Sequence, residues 1–262
     1  MAWRCTGSTN AQLVNNLFSA GLIADKRVRD ALLRVDRALY APTKPYVDAP
    51  QPIGHGATIS APHMHATALA ELAPFLLPLS PPATGPRRAL DIGSGSGYLT
   101  HAMAELALLP GPGNGGGGDA DAEIEKRNPV VVVGVEHVAP LAQLGEENLA
   151  RSARGRALLA AGNVRFRVGD GRRGWIDDDG VGGEGQRYDA IHVGAAAKEL
   201  HGELVAQLNA PGRMFIPLED PDGWGQHVWA IDKDGDGKVT RRKLFGVQYV
   251  PLTDATYYVA SP

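Results

Sequence analysis

The sequence predicts an α/β protein: a doubly wound, mostly parallel sheet, with helices ahead of it and a hairpin behind it. Three observations point there. From Arg87 onward, short β-branched or apolar runs alternate with stretches whose apolar residues recur every three or four positions. The first run, Ala89-Leu90-Asp91-Ile92, passes directly into Gly93-Ser94-Gly95-Ser96-Gly97. That is a glycine turn at the carboxyl edge of a strand, where open sheets of this kind take ligands. Near the end, His227–Ile231 and Lys238–Leu244 flank Asp232-Lys233-Asp234-Gly235-Asp236-Gly237, which reads as a hairpin.

The elements follow in order. Ser8-Thr9-Asn10 precedes Leu13, Val14 and Leu17, and Gly21 closes the pattern, which predicts a short capped helix. Asp25 precedes Val28, Leu32, Val35 and Leu39 at three- and four-residue steps, a second amphipathic helix. Residues 41–56 carry Pro42, Pro45, Pro50, Pro52, Gly54 and Gly56, and so many breakers predict an extended loop rather than an element. A third helix is expected from Pro62, with Ser60 near its N-cap, through Leu69 and Leu72. Further strands are expected at Val130–Val135, Val164–Val168, Tyr188–Val193 and Arg213–Pro217. Helices are expected around Leu99, Met103 and Leu106, around Leu141, Leu144 and Leu149, and over Glu199–Leu208. Two stretches look inserted as surface loops: the glycine-rich and charged run at 110–129, and the acidic Asp177–Gly185.

A chain of 262 residues with 44% hydrophobic and 21% charged residues can bury a sizeable core and is not disordered as a whole. It reads as one domain, 1–262: N-terminal helices and a substrate segment (1–86), an α/β core (87–220) and a C-terminal hairpin and loop (221–262). The 26 basic against 29 acidic residues leave a charge of −3, and aromatics are only 6%. Both argue against a nucleic-acid surface or a polybasic membrane face. Cys5 is the one cysteine, so neither an intrachain disulfide nor a multi-cysteine zinc site can form. No apolar signal core or membrane-length apolar run stands out, and a cytoplasmic protein is the expectation. No metal is expected either. His63 and His65 are two apart, which turns their rings away from each other on a helix. Asp232-x-Asp234-x-Asp236-Gly237 imitates a calcium loop, but its twelfth position is Lys243.

Three acidic positions give the sheet edge its chemistry. Asp91 immediately precedes the glycines, and a carboxylate there favours an ammonium or sulfonium over a pyrophosphate. That points to S-adenosyl-L-methionine rather than a dinucleotide. Glu136, followed by His137, ends the Val130 strand, where a carboxylate can accept both ribose hydroxyls. Asp170, in Val168-Gly169-Asp170-Gly171, stands where an exocyclic adenine amine could donate to it; alone it is an ordinary Asp-Gly turn. Ser60 with Pro62, taken alone, is only a helix start.

The chain resembles the protein-L-isoaspartate (D-aspartate) O-methyltransferase family. The resemblance lies in Asp48-Ala49-Pro50-Gln51-Pro52-Ile53-Gly54, in Ala57-Thr58-Ile59-Ser60-Ala61-Pro62-His63-Met64-His65, in Tyr188-Asp189-Ala190-Ile191-His192-Val193-Gly194-Ala195-Ala196-Ala197 and in Val250-Pro251-Leu252-Thr253-Asp254. It implies a Rossmann-like class I S-adenosylmethionine-dependent methyltransferase fold. It also implies methyl transfer to the α-carboxylate of isoaspartyl, and of D-aspartyl, residues in damaged proteins and peptides, which initiates their repair. The cofactor would be S-adenosyl-L-methionine, leaving S-adenosyl-L-homocysteine, and the protein would act as a monomer. By the same resemblance Ser60 is the active-site serine, and Ala57, Thr58, Ile59 and His65 line the cofactor or the isoaspartyl carboxylate. Asp91, Gly93, Ser94, Gly95 and Ser96 would hold the methionine part. Glu136 and His137 would hold the ribose, and Asp170 with Gly171 the adenine. Thr253 would contact the cofactor from the C-terminal loop. Thr58 and Ser60 would face Val250 and Leu252 across a slot for the peptide. Two other classes remain in view from the residues alone: a class I methyltransferase for small molecules or nucleic acid, and an inactive cofactor-binding module.

Overall fold

The computed structural model describes residues 5–77, 86–109, 130–177, 186–221 and 223–252. The expected insertion at 110–129, most of the second one (178–185) and Thr253 lie outside the described residues.

The N-terminal helices form as their caps dictate. Helix α1 (Asn10–Ser19) starts at Thr9, whose hydroxyl accepts from the Gln12 N–H at 3.2 Å, and it buries Leu13, Val14 and Leu17. Helix α2 (Lys26–Arg34) starts at Asp25, which accepts from the Arg27 N–H at 2.8 Å. It stops sooner than the spacing through Leu39 predicts. Asp36 takes the Ala38 N–H at 3.0 Å and opens a separate short 3-10 turn, Arg37–Leu39. A side chain that caps a new turn ends the old helix, and periodicity alone does not register this.

The breaker-rich stretch before Ala57 is not wholly loop. Strand β1 (Gln51–Gly54) pairs antiparallel with β2 (Ala57–Ile59). The reversal runs through left-handed backbone at Gly54, His55 and Gly56, so the glycines that argued for a loop are what lets the hairpin turn. Helix α3 (Pro62–Leu76) follows, capped at Ala61 with no side-chain bond. Ser60 is therefore not its cap, and its hydroxyl stays available for other work.

The main sheet contains β3 (Arg87–Ile92), β4 (Val130–Glu136), β5 (Val164–Val168), β6 (Tyr188–Val193), β7 (Leu208–Glu219), β8 (Gln226–Lys233) and β9 (Val239–Val247). Its spatial order is β5-β4-β3-β6-β7-β8-β9. The first five in that order run parallel, and β8 and β9 are antiparallel. Alternation along each strand feeds two cores. Val132 and Phe215 join the apolar cluster that holds α1 to α3, whereas their neighbours Val133 and Met214 join a second one. Helix α4 (Tyr98–Ala107) and helix α5 (Ala139–Ala150) connect the strands. Helix α6 (Ala153–Ala160), which the apolar pattern does not announce, starts where Ser152 accepts from the Gly155 N–H at 2.8 Å. Helix α7 (Gly202–Gln207) is shorter than the Glu199–Leu208 stretch, because Leu208 already belongs to β7.

Two acidic stretches resolve into structural roles. Asp234 accepts from the N–H groups of Asp236 (3.0 Å) and Lys238 (2.9 Å), so the calcium-loop imitation is a hairpin turn. Asp177, expected in a surface loop, is buried and accepts from Arg165 (2.8 Å), Arg167 (2.9 Å) and the Trp175 indole (2.9 Å). Two arginines on alternate positions of β5 require an acid there, and the composition of the stretch concealed that.

Chain direction along the sheet reverses between β3 and β6: β4 and β5 lie to one side, β6 and β7 to the other. The two loops leaving β3 and β6 separate at that point, although the Gly194 N–H still donates to the Ile92 carbonyl at 2.7 Å. A crevice at the carboxyl ends of the strands is the geometric consequence.

Candidate active site

The crevice is a partly open cleft. Thr58, Ile59, Ser60 and His65 form one wall, from β2 and the start of α3. Asp91 and the loop Gly93, Ser94, Gly95 and Ser96 form the floor and the opposite wall, with Tyr98 and Leu99 from α4 and with His192 and Gly194 from the end of β6. Thus one cleft gathers Ser60, Thr58, Ile59, His65, Asp91 and the glycine loop.

Asp91 is buried at the floor. Its carboxylate accepts from the Thr100 hydroxyl at 2.6 Å, and its other oxygen lies 2.8 Å from His192 Nδ1. Because β3 and β6 pair in register at Asp91 and His192, the two side chains meet at one level. His192 stacks on Phe215 at 5.8 Å, which fixes its ring.

The loop itself rests on Glu136. One carboxylate oxygen accepts from the Gly95 N–H and the other from the Val138 N–H, both at 3.1 Å, and His137 Nδ1 stands 3.1 Å away. Glu136 thus ties the glycine loop to the end of β4 as well as standing where a ribose would be held. Gly97, the last glycine before α4, has φ +84°, and a Cβ there would come within 2.9 Å of both the Gly145 carbonyl oxygen and the Phe166 ring. Gly97→Ala is expected to destabilise the fold by roughly 2 kcal/mol or more, from left-handed backbone plus the clash, as read by chemical denaturation. An unchanged midpoint would contradict the packing described.

Asp170 caps the short turn Gly171–Arg173 and pairs with Arg172 at 2.7 Å. That hydrogen bond, against a smaller desolvation effect, holds its carboxyl below the usual carboxylate range. The turn sits hard against the tip of β3: a Cβ on Gly171 would lie 2.2 Å from Ile92 Cγ2. Ala57, Glu136, His137, Asp170 and Gly171 flank the cleft rather than line it.

Across the opening, residues 249–252 are stitched down. The Gln226 side chain clasps the Tyr249 backbone, accepting from its N–H at 2.7 Å and donating to its carbonyl at 3.3 Å. The Ala196 N–H donates to the Val250 carbonyl at 2.9 Å, and the Leu252 N–H to the Ala196 carbonyl at 2.8 Å. Val250 is exposed and Leu252 half-buried, so this strap borders the opening without lining the cleft.

The family model for protein-L-isoaspartate(D-aspartate) O-methyltransferase matches residues 8–257. The chain belongs to this family. A protein-L-isoaspartate O-methyltransferase of Caenorhabditis elegans is 42% identical over 253 residues, covering 97% of this chain and 96% of the relative. One of Triticum aestivum is 42% identical over 246 residues, covering 93% and 91%. A crystal structure of a Plasmodium falciparum protein assigned to the same activity, in complex with S-adenosyl-L-homocysteine, superposes with a TM-score of 0.75 at 34% identity, covering 94% of this chain and 99% of that one.

Within this methyltransferase, several cleft residues carried no signal in the sequence. Arg37 is fully buried behind Ser60 and His65, donating to the Ser60 carbonyl at 2.7 Å and contacting His65 Nδ1 at 3.2 Å. Tyr98 packs under it, with the guanidinium 5.0 Å from the ring centre. Tyr249 lies close enough to the Ser60 side chain to act on it, and burial pushes its phenol up to about 12. His192 had a legible signal, since it lies one residue before the end of a strand that pairs with β3 in register at Asp91. Arg37 and Tyr249 had none, because each meets the site through a fold-dependent contact.

Proposed function

We propose that the cleft between Ser60 and the glycine loop is where this chain carries out the family's reaction, methyl transfer from S-adenosyl-L-methionine to the α-carboxylate of isoaspartyl and D-aspartyl residues in damaged proteins. The observation that carries the reading is the division of the cleft: hydroxyl and imidazole groups on the Ser60 wall, a buried carboxylate and a glycine loop on the other.

The residues fit the methyl donor. Ser94 Oγ is buried with no hydrogen-bond partner among the described residues, a polar atom that a ligand in the cleft would satisfy. Asp91 offers the anionic floor that suits an ammonium. Asp91, Ser94 and Ser96 would hold the methionine part, Glu136 the ribose, and Asp170 with Gly171 the adenine; Thr253 belongs to the same reading. When bound, the donor supplies a methyl group on a sulfonium, already activated for transfer.

The chain's own residues then position and desolvate. An α-carboxylate, with a reference pKa of about 3.3–3.7, is ionised at neutral pH and needs no general base. Burial first, then the charge of Arg37, keeps His65 well below its ordinary value, so it stands beside the carboxylate as a neutral imidazole. Ser60, half-buried and lining the cleft, orients the carboxylate by hydrogen bonding. The strap at Val250 and Leu252 forms the far side of the peptide slot opposite Thr58. Discrimination rests on where this slot holds the peptide backbone, because isoaspartyl and aspartyl carboxylates differ in reach and not in charge. In this reading 1–86 shapes the acceptor side, 87–220 holds the donor and 221–262 closes the slot, within one domain. The protein works as a monomer in the cytoplasm, a setting in keeping with its single cysteine.

Two peptides of identical sequence, one isoaspartyl and one aspartyl, test the reading with labelled S-adenosyl-L-methionine. The isoaspartyl peptide should be methylated and the aspartyl one almost not at all. Ser60→Ala should lower turnover by roughly 10-fold or more, for a lost hydrogen bond to a charged group, and leave donor affinity nearly unchanged. Equal methylation of both peptides would replace this reading with a general carboxyl methyltransferase.

A further inference from the structure

Arg37 presents a puzzle of charge. It is 0% exposed, and its Nε has no hydrogen-bond partner among the described residues. Burial pulls its pKa down to about 10, so it stays a cation at neutral pH. Asp48, also buried, is the acid that acts on it, yet the Asp48 carboxylate spends Oδ1 on the backbone N–H and ring of His63, at 3.0 and 2.7 Å. A buried cation without a direct ion pair is costly unless its placement serves something.

What it touches is the acceptor wall of the cleft. One terminal nitrogen donates to the Ser60 carbonyl and the other lies 3.2 Å from His65 Nδ1. A guanidinium has five N–H donors and no acceptor. At that contact His65 Nδ1 must therefore be the acceptor, and in a neutral imidazole the proton then sits on Nε2. The opposite tautomer would set an N–H against an N–H beside Arg37 and turn a lone pair toward the cleft.

We infer that Arg37 is a positioning residue that locks His65 as its Nε2–H tautomer and so makes it a hydrogen-bond donor to a carboxylate oxygen in the cleft. The same fork holds the Ser60 backbone, so the Ser60 hydroxyl and the His65 N–H keep a fixed relation across one planar group. Lysine could supply the charge but not two divergent, coplanar donors. The carboxylate belongs either to the methionine part of the donor or to the isoaspartyl residue. That ligand rests on the methyltransferase reading above, whereas the tautomer does not.

Two arms test it. In the first, the full chain without ligand is labelled with ¹⁵N-histidine, and long-range proton–nitrogen correlation identifies the protonated ring nitrogen of each histidine. His65 is assigned by the signal missing from His65→Gln. The wild-type ring should be Nε2–H at neutral pH, and Arg37→Met should give a mixture of tautomers. In the second arm, Arg37→Met should raise the S-adenosyl-L-methionine Kd or the isoaspartyl-peptide KM by about the factor by which the Nε2–H population falls, roughly twofold for an even mixture, with a smaller change in kcat. The larger of the two losses identifies which carboxylate His65 serves. In the His65→Gln background, where the amide N–H has no ring tautomer to set, Arg37→Met should cost distinctly less. A wild-type His65 ring protonated at Nδ1 overturns the inference whatever Arg37→Met does. So does an Arg37→Met protein whose His65 stays wholly Nε2–H, or one with both affinities unchanged.

Discussion

Asp91→Ala should weaken S-adenosyl-L-methionine binding by on the order of 10- to 100-fold, the scale of a charge-assisted hydrogen bond lost from a buried acceptor. The carboxylate is 1% exposed at the floor of the cleft and carries two protein donors already, Thr100 and His192. Its removal leaves both without their acceptor, which adds a stability cost of about 1–3 kcal/mol for each group left unsatisfied. Affinity and stability must therefore be separated. Thr100→Val removes one of the same hydrogen bonds and keeps the charge. It should lower the melting temperature while leaving affinity near the wild-type value. Titration calorimetry on both folded variants decides: equal affinities for wild type and Asp91→Ala would remove Asp91 from the donor site.

The strand edge was the most legible part of this molecule. Short apolar runs announced β3, β4 and β6, where parallel strands buried on both faces leave little choice of side chain, and alternation announced the edge strand β5, all to within a few residues. Helix ends were less legible. The spacing through Val35 and Leu39 continued a helix that the Asp36 side chain terminates, and the breakers before Ala57 concealed a hairpin that needs them. Both are cases in which one local hydrogen bond or one left-handed turn outweighs a periodic pattern.

The site divides the same way. Asp91 and the glycine loop were legible because they are contiguous and end a strand. Ser60 and His65 were singled out by resemblance, since a serine before a proline otherwise reads as a helix start. The structure removes that plain reading: α3 is capped at Ala61 and Ser60 faces the cleft. Arg37 lies 23 residues from Ser60, and Tyr249 comes from beyond the last strand. No spacing rule connects such positions. They become neighbours only when the N-terminal turn and the C-terminal strap are laid on opposite sides of the same crevice.

The support beneath that crevice has its own acid signature, centred on Glu105 of α4. Glu105 is 0% exposed and meets Arg154 at 2.7 Å, Arg34 at 3.5 Å and His101 Nε2 at 3.6 Å. His101 Nδ1 in turn lies 2.7 Å from the Tyr40 hydroxyl. One carboxylate thus joins α2, α4 and α6 behind the glycine loop. Burial alone would raise its pKa, but contact with His101 and Arg154 more than offsets that and brings it from 4.5 to about 2. A depressed carboxylate stabilises the fold above its unfolded value and loses that contribution as pH falls toward the folded one. At ~1.36 kcal/mol per pH unit, that gap corresponds to about 3 kcal/mol. Glu105→Gln keeps the shape and removes the titration. It should be less stable than wild type by about 3 kcal/mol at neutral pH, less whatever the half-exposed arginines recover by turning to water. Below pH 4.5 the difference should shrink by about 1.4 kcal/mol for each further unit of acid. Urea unfolding of the two proteins at pH 7, 4.5 and 3.5 measures it. Parallel stability curves across that window would show that the ion cluster does not hold the helices together.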